Sequence, residues 1–267
     1  MAGDLVISTI NGGAIGAKNA IINGNFGINQ RGVSGTVTLS AGAYGHDRFK
    51  AGASGCTYTF ATSNNVTTLT ITAGSLMQVI EGINLQSGTY TLSWTGTAQG
   101  RVDSGSYAGS GLTGTAVGGT NQTVEFGTGT LSLVQYEAGS VATPFEHRQY
   151  GQELALCQRY FEKTYDITTA PATATLTGRM NYSSSSEGNS NFITDINYKV
   201  SKRAAPTLTA YVGGTSGIWT YEKSGASGTN SVTFDLIGQS HARAYVSIGS
   251  NWTACYVHGH WTASAEL

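Results

Sequence analysis

The stretch Cys56-Thr-Tyr-Thr-Phe-Ala-Thr-Ser-Asn-Asn-Val-Thr-Thr-Leu-Thr-Ile-Thr72 decides how this chain folds. Apolar and polar residues alternate through Cys56–Phe60 and again through Thr67–Thr72, and Ser63-Asn-Asn65 between them is a turn cluster. A period of two is the signature of a half-buried strand, and the β-branched threonines favour the same conformation. The same pattern returns outward along the chain in Thr89-Tyr-Thr-Leu-Ser-Trp94 and Gly129-Thr-Leu-Ser-Leu-Val-Gln135, with turn clusters at Gln86-Ser-Gly88 and Gly109-Ser-Gly111. Turn signals about every ten residues are those of an antiparallel sandwich. The expectation for residues 19–145 is therefore a jelly-roll-like β-sandwich of about eight strands. Trp94, in a clean strand, is expected in its core.

The pattern changes at Thr143-Pro144. Tyr150-Gly-Gln-Glu-Leu-Ala-Leu-Cys-Gln-Arg-Tyr-Phe-Glu162 carries good helix formers with Leu154, Cys157 and Phe161 at helical spacing, which predicts one helix of about three turns. Residues 146–167 are accordingly read as a linking helix. Alternation resumes in Asn191-Phe-Ile-Thr-Asp-Ile-Asn-Tyr198, Ser231-Val-Thr-Phe-Asp-Leu-Ile237, Arg243-Ala-Tyr-Val-Ser-Ile248 and Thr253-Ala-Cys-Tyr-Val-His258, so 168–267 is expected to be a second β-sandwich. No fixed-period repeat suggests a propeller or β-helix.

Composition agrees with an all-β protein. Among 267 residues only 11% are charged, Gly numbers 37 and Pro 3, against about 25% charge in an ordinary soluble domain. Ser, Thr, Asn and Gln must then supply the polar surface. The net charge of -1 and scattered Lys and Arg offer no basic stripe, so nucleic acid is not an expected partner. The first residues carry no secretory leader and no stretch reads as a membrane span, which predicts synthesis in a cytosol and no membrane insertion. Cys56, Cys157 and Cys255 have neither even number nor metal spacing and are expected to be small buried hydrophobes.

Several segments, in order, resemble a known module: Asn23-Gly-Asn-Phe-Gly-Ile-Asn-Gln-Arg-Gly32, Tyr44-Gly-His-Asp-Arg-Phe49, Gln78-Val-Ile-Glu-Gly82, Ser87–Trp94, Gln135-Tyr-Glu-Ala-Gly139 and Ala142-Thr-Pro-Phe-Glu-His-Arg-Gln-Tyr-Gly-Gln-Glu-Leu-Ala-Leu-Cys-Gln-Arg-Tyr-Phe161. Together, over Asn19–Lys163, they resemble a module of tail-fibre and other structural proteins of tailed phages and prophages, related in shape to carbohydrate-binding jelly rolls. The resemblance implies a virion protein, on tail or surface fibre, assembled as a homotrimer. Residues 1–18 would be an N-terminal attachment segment to other virion proteins, and 168–267 the distal receptor-binding domain. The shared residues themselves read as structural: Asp47 with Arg48 as an ion pair, Glu81-Gly82 and Glu137-Ala-Gly139 as strand-end turns, Pro144-Phe145 as an apolar plug.

No nucleophile elbow, phosphate loop or His-Glu-x-x-His helix is present, so neither catalysis nor a cofactor is expected. Two carboxylate pairs, Asp166 with Asp195 and Asp103 with Glu125, could in principle flank a glycosidic bond, but solvated loop positions explain them equally. His258-Gly-His260 places two imidazoles on one strand face, where they would be metal ligands around a threefold axis or simply strand histidines. The binding expectation rests on aromatic rings, whose apolar faces suit sugar C–H groups, with amides and hydroxyls nearby. Tyr211, Trp219, Tyr221 and Trp252 are the candidates, with Trp219 and Tyr221 sharing a strand face after the glycine loop at Gly213; the alternative is that these rings fill a core. The function so predicted is adsorption to host-surface polysaccharide. Its rivals are a purely structural fibre or capsid decoration subunit, and a surface polysaccharide hydrolase.

Overall fold

The computed structural model describes residues 18–184, 191–249 and 254–267. They divide into two compact units: the first holds residues up to 29 with 33–153 and 267, the second 30–32 with 154–266. Both are antiparallel β structures, as the alternation requires. The expected attachment segment, apart from Lys18, lies outside the described residues, as does Trp252.

In the first unit the opening hairpin forms directly. Strands β2 (Lys50–Ser63) and β3 (Val66–Ile80) pair with Tyr58 opposite Ile71 and Ser63 opposite Val66. Asn64 and Asn65 close it with φ of 50° and 61°, the left-handed pair that a two-residue hairpin turn needs and that asparagine tolerates. Tyr58, Leu69 and Ile71 point inward, while Thr59, Thr70 and Thr72 face out. A short β1 (Val37–Leu39) pairs with β2. The remaining strands are β4 (Gly88–Thr95), β5 (Gly100–Val102), β6 (Leu112–Ala116), β7 (Gln122–Phe126) and β8 (Gly129–Ala138).

Strand β3 pairs with β8 near Leu69–Ile71 and with β7 along Leu76–Ile80. That fork separates a leaf β1-β2-β3-β7-β5 from a leaf β8-β4-β6. The core lies between them: Trp94 of β4 is buried as expected and meets Phe126 of β7 edge-on at 5.2 Å.

Strand β8, the Thr143–Glu146 segment and Arg148 form a clasp. Gln135 Oε1 accepts the Glu146 amide at 2.8 Å, and Glu137 accepts the Thr143 amide at 2.8 Å and its hydroxyl at 2.6 Å. Arg148 donates to the carbonyls of Asn19 and Ile21 and lies beside Glu146 and Glu153. Alternate residues of β8 therefore hook the Thr143–Glu146 segment, and Arg148 ties it to the start of the unit. Arg48, buried beside Asp47, spends part of its guanidinium on the Val79 carbonyl at 2.7 Å.

His46 gives this unit a pH response. It is 1% exposed, its Nδ1 is 3.0 Å from the Tyr58 hydroxyl, and burial pulls its pKa down to about 4. The unfolded chain takes up that proton at the ordinary value near 6.5, so the contribution is complete above that pH and is lost as pH falls from 6.5 to 4. The loss expected is about 3 kcal/mol. Urea unfolding at pH 7 and pH 4 should show wild type falling relative to His46→Phe by that amount; parallel behaviour of the two would contradict it.

The helix is shorter than its apolar spacing predicts. Helix α1 covers Tyr150–Gln158, and Phe161–Lys163 becomes strand β9, paired with the last strand of the second unit. Leu154, Cys157 and Phe161 satisfy a helical period, but Phe161, Glu162 and Lys163 are all buried as a strand. Sheet pairing has overridden local propensity there. The division between units falls inside α1, between Glu153 and Leu154.

The second unit contains β10 (Met180–Ser184), β11 (Asn191–Asn197), β12 (Thr207–Val212), β13 (Thr215–Ser216), β14 (Ile218–Lys223), β15 (Ala226–Asp235), β16 (His241–Ser247) and β17 (Cys255–Ser264). The order is β11-β16-β15-β14-β17-β12-β13, and β9 and β10 also pair with β17. The long β17 is thus the axis of this unit. Its Val257, Trp261 and Ala263 enter a core with Trp219, Phe192, Ile196 and Val246. All three cysteines are buried and free. Among the described residues no helix is long and apolar enough to cross a membrane.

Candidate functional site

The face of β17 opposite that core is where functional groups gather. Residues directly paired across strands point to the same side of a sheet, so the pairings give the rows of this face. Tyr256 lies between Ser183 and Glu222, and His258 between Asn181 and Thr220. His260 lies beside Tyr211, and Thr262 between Lys163 and Thr209.

The His260 half of the face is covered. Tyr165 stacks on His260 with ring centroids 3.7 Å apart, and Tyr211 meets Tyr165 edge-on at 6.2 Å. His260 Nδ1 is 3.0 Å from the Thr164 hydroxyl, and Nε2 is 3.1 Å from the Thr175 carbonyl. Both ring nitrogens are therefore occupied, and His260 has none left for a metal. Among the described residues no cluster of three or more His, Cys, Asp or Glu could hold one.

The Tyr256 half is open. Tyr256 is 50% exposed with Ser183, Asn181 and Glu222 exposed around it, and His258, at 6%, sits where the open half meets the covered one. Burial, then the nearby Arg179 charge, hold His258 below its ordinary pKa against the opposing pull of Glu222. A neutral imidazole, an amide, hydroxyls and a carboxylate thus surround one accessible aromatic ring.

The candidate aromatics separate accordingly. Tyr211 belongs to this face, half-buried beside Tyr165. Trp219 does not: it is fully buried, donates its indole N–H to the His260 carbonyl at 2.8 Å, and meets Phe234 edge-on at 5.9 Å. Its face is the core face, which corrects the expectation that it could stack on a ligand. Tyr221, sharing that face, packs against the same core and lies over Gly228, where a Cβ would come within 2.9 Å of its hydroxyl. Tyr256 was missed, and His258 was weighed only as a metal ligand or a strand histidine, although the signal for both is in the sequence: along β17 the phase Cys255, Val257, Trp261, Ala263 is apolar and the alternate phase is not.

The carboxylate pair Asp103 and Glu125 is committed to structure. Asp103 accepts the Thr123 amide at 2.8 Å. Burial alone would raise Glu125, but the Ser75 hydroxyl at 2.5 Å and the Arg101 guanidinium at 2.6 Å hold it below its ordinary value. An ionised, clamped Glu125 cannot serve as a general acid at neutral pH.

No family model and no curated protein matches this chain. Among solved structures it is similar to a cycloisomaltooligosaccharide glucanotransferase of Paenibacillus sp., complexed with cycloisomaltoheptaose, with a TM-score of 0.23 and 11% identity. That likeness covers 86% of this chain and 46% of the other, so the chain spans less than half of that protein's length. A similarity so slight carries nothing about fold or activity.

Proposed function

We propose that this chain is a non-catalytic adhesion protein of a tailed-phage virion that engages host-surface glycan through the open face around Tyr256. The observation that carries the glycan reading is the half-exposed Tyr256 ring set among Ser183, Asn181 and Glu222 and next to His258. An aromatic floor with polar groups at its rim is the arrangement that sugars need: the ring takes the C–H face, and the rim takes hydroxyls at little desolvation cost. The virion reading rests on the resemblance over Asn19–Lys163, with the first unit as the jelly-roll module and the chain assembled as a homotrimer. Three copies would raise a weak single-site affinity by avidity.

The test is binding of the full chain to a glycan array and to whole cells, together with its mass in solution. A trimer that binds surface polysaccharide without releasing reducing sugar is the expected result. A correctly folded chain that binds no glycan would leave the structural-subunit reading in its place, and release of reducing sugar would favour a hydrolase.

A further inference from the structure

His258 and His260, two positions apart on β17, differ in what surrounds their rings. His258 is 6% exposed and has no hydrogen-bond partner among the described residues, whereas His260 has both nitrogens filled. An imidazole with no partner among the described residues keeps a donor and an acceptor for a group that arrives from outside. We propose that His258 is the hydrogen-bonding centre of the glycan face and that the sugar residue it takes is uncharged. This rests on the adhesion reading above and adds to it the ligand class and the residue that selects it.

The geometry argues for a sugar ring bridging two positions of β17. Tyr256 and His258 are i and i+2 on one face, roughly 6.5–7 Å apart along the strand. A pyranose lying on the Tyr256 ring extends its outer hydroxyls to that distance. Asn181 and Thr220, paired directly across from His258, stand about 5 Å to either side, placed for neighbouring hydroxyls.

The chemistry argues for an uncharged one. A neutral imidazole presents one donor and one acceptor, and a pair of sugar hydroxyls satisfies both. A carboxylate or phosphate only accepts, so it would leave the acceptor nitrogen unmatched or require the charged imidazole, which burial and Arg179 oppose. Glu222, paired with Tyr256, adds a repulsive charge beside the ring.

The experiment uses the full chain on an array carrying neutral hexose oligosaccharides and, in parallel, uronic and sialic acid oligosaccharides. Wild type is expected to bind neutral members in preference to acidic ones. His258→Phe, which keeps a ring but no hydrogen bond, and Tyr256→Ala should each weaken binding about tenfold or more, the equivalent of about one hydrogen bond or one stacked ring. Thr220→Val and Asn181→Ala on the rim give the same readout without touching a buried side chain, and unchanged thermal midpoints confirm that each variant is folded. Equal binding by wild type and all four variants, or a preference for acidic sugars, overturns the assignment while leaving adhesion intact. Absence of any sugar binding by folded wild type overturns the adhesion reading itself.

Discussion

Trp219→Ala should cost the second unit about 3–5 kcal/mol, the range for emptying a buried tryptophan site, while Tyr256→Ala should change stability by no more than about 0.5 kcal/mol. The two residues lie on adjacent strands and both are large aromatics; they differ in which face they occupy. Trp219 packs across the backbone of Gly259, where a Cβ would come 2.1 Å from its Cδ1. Gly259→Ala is therefore a second probe of the same contact, expected to cost about 1–3 kcal/mol or more through overpacking. The two should couple: in a Trp219→Leu background the added methyl of Gly259→Ala has room, so its cost should shrink, giving a non-additive cycle. Urea unfolding of the four proteins measures this. Additive costs, or a Trp219→Ala protein as stable as wild type yet unable to bind glycan, would place the indole on the ligand face.

How much of this was legible depended on whether the deciding interaction was local. Period two in Cys56–Thr72 was sufficient for β2 and β3, because Asn64 and Asn65 set the turn and the alternation sets the register. Trp94 followed from the same rule. For Trp219 and Tyr221, alternation gave a shared face correctly. The choice between core and ligand was also available, since Thr220 and Glu222 make the alternate phase polar, and the apolar phase of a half-buried strand turns inward. What alternation could not supply was the partner. Only the pairing of β17 with β10 and β14 puts Asn181, Thr220 and Glu222 around Tyr256 and His258, from positions dozens of residues away. The end of α1 was hidden for the same reason: the burial of Glu162 depends on Lys202, forty residues on in the chain.

That Glu162–Lys202 pair should be the second strong determinant of stability. Their side chains are 1% and 0% exposed and the ammonium lies 2.5 Å from the carboxylate. Lys202 Nζ also donates to the carbonyls of Gln158 at 2.6 Å and Val200 at 2.9 Å, so all three ammonium protons are used. Glu162 in turn accepts the Lys199 amide at 2.9 Å. Burial pulls the Lys202 ammonium below its ordinary pKa, against the Glu162 carboxylate. Removing one partner strands a buried charge, which costs about 3–5 kcal/mol. Lys202→Met should be the most damaging change, because it removes the cation from Glu162 and also leaves the Gln158 carbonyl, at the last turn of α1, without its donor. Glu162→Gln should be the mildest, since the amide oxygen can still accept from Lys202. The double variant Glu162→Leu with Lys202→Met removes both charges and should recover part of the loss. It should not recover all of it, because each orphaned buried carbonyl still costs about 1–3 kcal/mol. Urea midpoints in the order wild type, Glu162→Gln, the double variant, then Lys202→Met would show that the pair acts as a brace between α1 and β9. A double variant as stable as wild type would show instead that apolar packing serves this position equally well.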